Sequence, residues 1–590
     1  MFLSRISVRK PVMMTMVIMA FVVIGLFSFS RLAIDLFPPI EFPYVSVMIV
    51  YPGAGPEETE TLISEPVEEA VSSINGVKNV WSISQEGLST VMVEFQMGKD
   101  VDFAALDVKD KVDAIRADLP EEAKTPTIFK FDIQALPIMD LAVFGPRALS
   151  EVYQLAKETI KDELAKIDGL ASISVIGGRE REILIAVDRE RLKAYDLSIL
   201  DIVQALALRN LNIPSGRITE DRYEYAVRLA GKFESVDDIR NIRMATEDGQ
   251  VNLTDLAQVI DTFAEQRELA RFNGQSSVGL SLQKRADANT VKVAREVKRT
   301  IAALGNRLPS DVKIDIARDR SDFIRHSVND VLTNMLIGIL LTAVVLYLFL
   351  HSWKEMLIAA VAMPTSIIAT FSLIYFAGFT LNMMSLMGLA ISVGILVANA
   401  IVVLENIHRF RGREKDPKVA ADRGTTEIAL AVMAATLTNV VVFLPIAFMS
   451  GIVGQFFKQF GITVTFATLF SLVVSFTLTP MLASKLLKRA EAEERRSLRK
   501  RFFDGWDRYY DRLAQGYKGG LNWALGHRAI IVLLCLAVFI GSLALVPFIG
   551  SEFFPRTDQG LVSVMIEMPA GFNLKQTDEV ASEIERELAR

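Results

Sequence analysis

Residues 356–404 read MLIAAVAMPTSIIATFSLIYFAGFTLNMMSLMGLAISVGILVANAIVVL, 49 residues without one Asp, Glu, Lys or Arg. A helix crosses roughly 30 Å of hydrocarbon with about 20 mostly apolar residues. The stretch is therefore two such helices, 356–377 and 383–404, joined by a turn around Gly378–Asn382. Working outward, five further segments have this length and character: 12–32, 328–350, 428–449, 460–483 and 529–550. The first follows Arg5, Arg9 and Lys10 as a signal peptide would. Its apolar run is too long for one, and no small-residue cleavage site precedes Arg31 and Asp35, so it reads as a retained helix.

Lys and Arg near span ends set orientation, because translocated loops are poor in them. The loop after the fourth span carries Arg409, Arg411, Arg413, Lys415, Lys418 and Arg423, and a run from Lys485 to Arg501 follows the sixth. Both fall on the side of the basic N-terminus, whereas the turns around Gly378–Asn382 and Ser450–Gln459 hold only Lys458. Residues 33–327 are thus expected on the exported side. Segment 488–528 mixes Phe502, Phe503, Trp506, Tyr509 and Tyr510 with Arg501, Arg508 and Arg512, the pattern of an amphipathic helix in the cytoplasmic interface, against membrane lipids.

The whole composition agrees with a membrane protein: 51% hydrophobic, 23% charged, mean hydropathy +0.32. A net charge of −6 with no basic block argues against nucleic acid. The only cysteine, Cys535, lies in an apolar run, so no intrachain disulfide or cysteine metal site can form. His326, His351, His408 and His527 all flank spans, where they read as interfacial anchors. No zinc spacing, nucleophile elbow or phosphate loop is found; Gly177-Gly178 is a turn without the Lys-Ser/Thr of a P-loop. No enzyme activity, cofactor or metal is expected. Met13, Met14, Met16, Met19, Met383, Met384 and Met387 have the thioethers that suit Cu(I), but in apolar spans they read as packing or lipid contact.

In the exported region the pattern predicts a strand at 43–51, a helix over 56–74, strands near 79–84 and 89–96, a helix at 102–118 and a strand at 126–133. That order is βαββαβ, the split arrangement of ferredoxin-like folds. A second copy starts with a strand at 138–144, a helix at 149–166 and a strand at 171–177. It resumes with a strand at 276–283, a helix at 288–305 and a strand at 312–318, around an insertion at roughly 181–272. An internal repeat is also visible. Phe37-Pro38, Ser46-Val47 and Pro52 recur at one spacing as Phe554-Pro555, Ser563-Val564 and Pro569, each set just after an apolar span. The chain reads as one complete unit plus the opening of a second, so half of a transport path is expected to lie beyond it.

With that order of elements, the chain resembles the resistance–nodulation–division (RND) efflux permeases over essentially its full length. Local matches are Tyr51-Pro-Gly-Ala54, Val187-Asp188, Phe272-Asn273-Gly274, the run Ala400–Asn406 (AIVVLEN), Phe443–Phe448 (FLPIAF) and Leu478-Thr-Pro480. The resemblance implies a bacterial inner-membrane α-helical bundle of about seven spans. It would carry a large periplasmic α+β domain of ferredoxin-like βαββαβ subdomains with an inserted docking subdomain. The expected layout is a cytoplasmic segment and first span over 1–32, a first porter subdomain over 33–134, and a second over 135–180 and 273–327. The docking part is 181–272, spans two to six occupy 328–487, the amphipathic segment 488–528, the seventh span 529–550, and the start of a second periplasmic region 551–590. It also implies a proton-driven homotrimer that exports small hydrophobic or amphipathic compounds with a periplasmic adaptor and an outer-membrane channel. The arm that would reach a neighbouring subunit, around Asn212–Tyr225, is short.

Two departures stand out. Proton-driven members usually carry paired aspartates in the fourth span, where this chain has Ala398 and Asn399. An intramembrane carboxylate can carry a proton because desolvation raises its pKa; an amide cannot, so either the coupling group lies in the second half, or another ion is used, or coupling is weak. In that span Ser385, Ser392, Asn399 and Asn406 recur every seven residues, almost two whole turns, and form one stripe. Thr436 and Asn439 of the fifth span share a face and are plausible partners. A hydrated ion path and simple interhelical hydrogen bonding both fit the stripe, and in the sixth span Thr468, Ser471, Ser475 and Thr479 are expected to bond their own backbone. The second departure concerns substrate: Pro137 and Ile176 stand where multidrug members place phenylalanines. Met92, Phe129, Phe131 and Met139 would supply apolar surface nearby, or serve as strand core. Export of a lipid-like molecule by the same architecture, or a non-transporting membrane scaffold or sensor, remain the alternatives to drug efflux.

Overall fold

The computed structural model describes residues 1–133, 136–220, 222–229, 231–246, 249–487, 498–550, 560–569 and 571–589. The Phe554-Pro555 copy of the repeat, residues 488–497 and the side chains of Arg501, Phe502 and Phe503 lie outside the described residues. Contacts divide the chain into two units: Met1–Leu136, Ala286–Val291 and Ser321–Ser563 form the first, and Pro137–Arg285, Lys292–Arg320 and Val564–Arg590 the second.

The first unit contains a helical bundle. Its helices are α1 (Phe2–Arg9), α2 (Pro11–Arg31), α3 (Arg320–Leu350), α4 (Trp353–Phe376), α5 (Met383–Arg411), α6 (Pro417–Phe443), α7 (Gly451–Leu486), α8 (Leu498–Gly526) and α9 (Arg528–Leu545). Among the described residues seven helices, α2 to α7 and α9, are long and apolar enough to cross a membrane. The ends of these helices are set by local chemistry rather than hydropathy. The Asn382 side chain accepts the amides of Met384 (3.0 Å) and Ser385 (3.1 Å) to start α5. Asp416 accepts the amide of Lys418 (2.9 Å), with Pro417 at the first helical position of α6. So α6 begins well before the apolar run at 428, because hydropathy marks the crossing part and the cap marks the helix.

α5 lies among α4, α6 and α7 and is heavily buried, while α2 and α3 bury only a minority of their residues and α9 none. With lipid as apolar as leucine, helices associate through close approach of small residues. Gly25 of α2 shows this: a Cβ there would stand 2.0 Å from the Ile368 carbonyl oxygen of α4. Val8, Leu346, Ile358, Val403, Ile407, Ala483 and Leu487 meet in one apolar cluster, and Leu32, Ile324, Phe371, Ile374, Leu381 and Leu386 in another. The spans therefore alternate in direction. The basic N-terminus and the arginines of 409–423 share the first end.

From the other end, next to Leu381, the chain leaves into a four-stranded antiparallel sheet. Asp35 N–H bonds the Leu381 carbonyl (3.2 Å), Thr290 Oγ1 donates to Asp35 (2.5 Å), and Glu41 N–H reaches Gln455 (3.1 Å). The strands are β1 (Tyr44–Val50), β2 (Val77–Gln85), β3 (Leu88–Phe95) and β4 (Thr127–Lys130), in spatial order β2-β3-β1-β4. Helices over 56–72 and Val101–Ala114 cover one face, where Val45, Val47, Ile49, Val91 and Val93 pack on Ile63, Val67, Val71, Val108 and Val112. The period of two then turns Ser46, Met92, Trp81 and Phe129, neighbours in register across the four strands, to the uncovered face.

The second unit has a matching antiparallel sheet whose strands lie in the order Lys313–Asp319, Met139–Phe144, Val278–Lys284, Leu170–Ile176. The insertion pairs Arg181–Val187 with Ala257–Phe263 and carries the hairpin Ile213–Glu220/Tyr223–Leu229. Helix Leu574–Leu588 is held by Arg271, which bonds both oxygens of Glu585 (2.9 and 3.0 Å) and also Asp578.

Candidate functional site

All four residues of the seven-residue stripe on α5 turn into the bundle: Ser385 and Ser392 are 0% exposed, Asn399 5% and Asn406 7%. Equal burial hides different roles. Ser385 belongs to the helix cap, bonding the Thr380 and Asn382 carbonyls at 3.0 Å. The cap is anchored across the bundle, since Asn382 Nδ2 donates to Gln459 of α7 at 2.6 Å. Ser392 Oγ donates to its own helix at Gly388 O, 2.6 Å. Asn406 ties α5 to α6, donating to the Gly424 carbonyl at 2.6 Å and to Glu427 at 2.9 Å. Arg409 also pairs with Glu427.

Asn399 alone sits where three helices cross. Its Nδ2 lies 3.5 Å from Ser471 Oγ of α7, and its Oδ1 lies 3.5 Å from Thr436 Oγ1 of α6. Both contacts are at the long limit of hydrogen bonding. Thr436 has one hydroxyl proton, and it goes to the Val432 carbonyl at 2.7 Å. The Ser471 proton goes to Leu396 O of α5 at 3.3 Å. The Asn399 amide is thus buried among oxygens without a short partner, where a small cation or an ordered water would find acceptors. Asn439 is half-buried one turn further along α6.

On α7 the expectation of backbone bonding holds for Thr468, which donates to Val464 O at 2.7 Å. It fails for the other three. Ser471 reaches the neighbouring helix, and the hydroxyls of Ser475 and Thr479 are buried without a partner among the described residues. Among the described residues no group of three or more His, Cys, Asp or Glu could hold a metal ion.

A family model described as the AcrB/AcrD/AcrF family matches residues 3–590. The chain belongs to this family. Among curated relatives, the multidrug resistance protein MdtC of Yersinia enterocolitica (serotype O:8 / biotype 1B) is 30% identical over 563 residues, covering 95% of this chain and 54% of that protein. MdtC proteins of Yersinia pseudotuberculosis (serotype O:1b) and Yersinia pestis give the same figures. The chain spans about half the length of the curated relatives it matches, 54%. It is a multi-pass membrane protein of the RND permease type, a family of transporters rather than enzymes.

The residues expected along the substrate path of this RND permease fall into two groups. In the first unit, Met92 and Phe129 lie on the uncovered face of the sheet, and Phe131 packs edge-to-face on Phe42 at 5.2 Å between ring centres. Phe129 and Phe131 are 41% and 50% exposed, so they are surface rather than core. Phe42 and Phe131 border a cavity of about 390 Å³ together with Glu41, Asp102 and Lys130. In the second unit Ile176 is exposed on the open face of its sheet, beside Gly279, and Pro137 is half-buried. Met139, 1% exposed, points into the core against Leu282.

One polar constellation escaped the sequence reading. Glu355, in the first turn of α4, is completely buried and meets His408 and Arg411 of α5. It lies directly before the charge-free run, where hydropathy assigns it no role. An acid in the first turn after a capping Ser352 was the available signal.

Proposed function

We propose that this chain is the membrane and periplasmic part of a secondary active exporter of hydrophobic or amphipathic compounds, driven by an ion gradient, with the proton as the ion. In this reading the basic end of the bundle faces the cytoplasm and residues 33–327 stand in the periplasm. The two four-stranded sheets are ferredoxin-like porter subdomains, and the insertion over 181–272 is the docking part. The working assembly is a homotrimer joined to a periplasmic adaptor and an outer-membrane channel. Membership of a family whose relatives include multidrug resistance proteins supports the substrate class. So do the aromatic, exposed surfaces around Phe129 and Phe131.

The observation that carries the ion-driven reading is the burial of Asn399 where α5, α6 and α7 cross, held by two long contacts rather than short ones. A structural amide in an apolar bundle is stabilised by short bonds; a loosely held one among hydroxyls is a place through which an ion or water can pass. In this reading Ser471 and Thr436 flank the Asn399 position, and Ser385, Ser392 and Asn406 continue the stripe along α5. Asn399 itself cannot titrate, so it solvates the path while the proton is bound elsewhere.

The test uses the full-length protein in proteoliposomes, with ethidium as the transported probe and an imposed pH gradient. Efflux should rise with the gradient, and Asn399→Asp should change its pH profile. Efflux that ignores the gradient in both proteins would remove proton coupling. A lipid-like substrate would show instead as movement of labelled phospholipid without ethidium efflux, and a scaffold as neither.

A further inference from the structure

Glu355 borders the charge-free stretch of the bundle, and its surroundings are unlike those of a surface ion pair. The side chain is 0% exposed. Its Oε1 lies 2.6 Å from Nδ1 of His408 and 3.2 Å from a guanidinium nitrogen of Arg411. Its second oxygen, Oε2, is buried and meets no donor among the described residues. The residues come from two helices and are separated by 53 and 56 positions in the chain. They sit beside the apolar cluster of Ile358, Val403, Ile407 and Ala483, at the end shared with the basic N-terminus.

We propose that Glu355 and His408 form a proton-exchange site at the cytoplasmic end of the bundle, with Arg411 as its fixed counter-charge. The inference rests on the proton-driven export reading and supplies the titrating group that Asn399 cannot be. The burial gradient is what makes the cluster a relay. Glu355 is fully buried and Arg411 is 17% exposed, but the His408 ring is 51% exposed. The imidazole therefore bridges the buried carboxyl and the aqueous side. When the carboxyl holds a proton, that proton passes to His408 Nδ1 while the proton on Nε2 leaves to water. The ring returns to neutral and the carboxylate is left paired with Arg411. Reversal loads the site. Atoms and charge balance with no further reactant. Imidazole is the side chain whose ordinary titration lies between about pH 5 and 8, so exchange is possible at working pH.

α4 packs against α2, α5 and α7. The charged and titratable groups at this end of those elements are Arg9 and Lys10 ahead of α2, His351 and Lys354 ahead of and on α4, Glu405 and Arg409 on α5, and Lys485 on α7. Among the described residues, the Glu355 carboxyl is met by His408 and Arg411.

The test separates a relay from a structural clasp. Full-length protein labelled at the histidine rings is placed in lipid nanodiscs, and the His408 signal is identified by its loss in His408→Gln. The expected result is a titration between about pH 5 and 8 whose midpoint moves by about one unit or more in Glu355→Gln, as an adjacent opposite charge requires. His408→Arg keeps a cation against Glu355, so a clasp would survive it. Its ethidium efflux should nevertheless lose its dependence on cytoplasmic-side pH. A His408 midpoint identical in Glu355→Gln, or an unchanged pH profile in His408→Arg, would overturn the proposal. Wild-type efflux indifferent to the gradient, with the NMR coupling intact, would overturn the export reading itself and leave a titrating pair with no transport role.

Discussion

Two residues of one buried stripe should respond very differently to the same substitution. Asn406→Ala removes a 2.6 Å donation to the Gly424 carbonyl and a 2.9 Å donation to Glu427, both from α5 to α6. The Gly424 carbonyl keeps its helical partner, and Glu427, partly exposed, keeps Arg409. What is lost is an interhelical hydrogen bond in an apolar setting plus the packing of a buried amide. Interhelical bonds in membranes average about 0.6 and reach about 1.7 kcal/mol. A cavity and a weakened acceptor add to this, so the expected destabilisation is about 1–2 kcal/mol. Ser392→Ala removes only a 2.6 Å bond to the same helix at Gly388 O. Such back-bonds stabilise little, so the change should stay within about 0.5 kcal/mol. Reversible unfolding in mixed micelles, titrated with a denaturing detergent, measures both. If Asn406→Ala matched Ser392→Ala, the distinction drawn between a latch and a self-bonded serine would be wrong.

Gly25→Ala should separate α2 from α4, because its Cβ would fall 2.0 Å from Ile368 O, a backbone atom that cannot turn aside; the yield of monodisperse protein after detergent extraction reports it, and a wild-type yield would contradict the packing. Lys78, then Asn79, bonds Glu94 and holds its carboxyl below the usual range. A depressed folded pKa stabilises above the ordinary carboxylate value of about 4.3 and loses that contribution as pH falls through the folded value. Glu94→Gln should therefore be less stable than wild type at neutral pH, with the gap closing below about pH 4 in acid unfolding. Arg271→Ala should free the helix Leu574–Leu588, seen as faster amide exchange across it, since Arg271 holds both Glu585 and Asp578; unchanged exchange would show that packing alone seats the helix.

Much of this architecture can be read along the chain because it is written in local, one-dimensional properties. Apolar runs announce seven crossing helices, and the excess of Lys and Arg picks out one end of the bundle. The alternation of Val45, Val47 and Ile49 against Ser46 and Met48 sets the inner face of the first sheet. A spacing of seven shows that Ser385, Ser392, Asn399 and Asn406 share a side of α5. Each signal needs only the period of the backbone or the free energy of moving a residue out of water.

The partners of that stripe could not be read so. α5 is apolar around the rest of its surface, so its sequence shows neither which neighbour the stripe turns toward nor at what height. Only packing set Asn399 against Ser471 and Thr436, gave Asn406 the Gly424 carbonyl, and sent Met139 into a core while Phe131 stayed on the surface. The same holds for Glu355, one residue outside the charge-free run yet fully buried against His408 and Arg411. Hydropathy measures what a residue prefers to leave, whereas the identity of its partner depends on helix rotation and register, and these are fixed only when several helices close on one another.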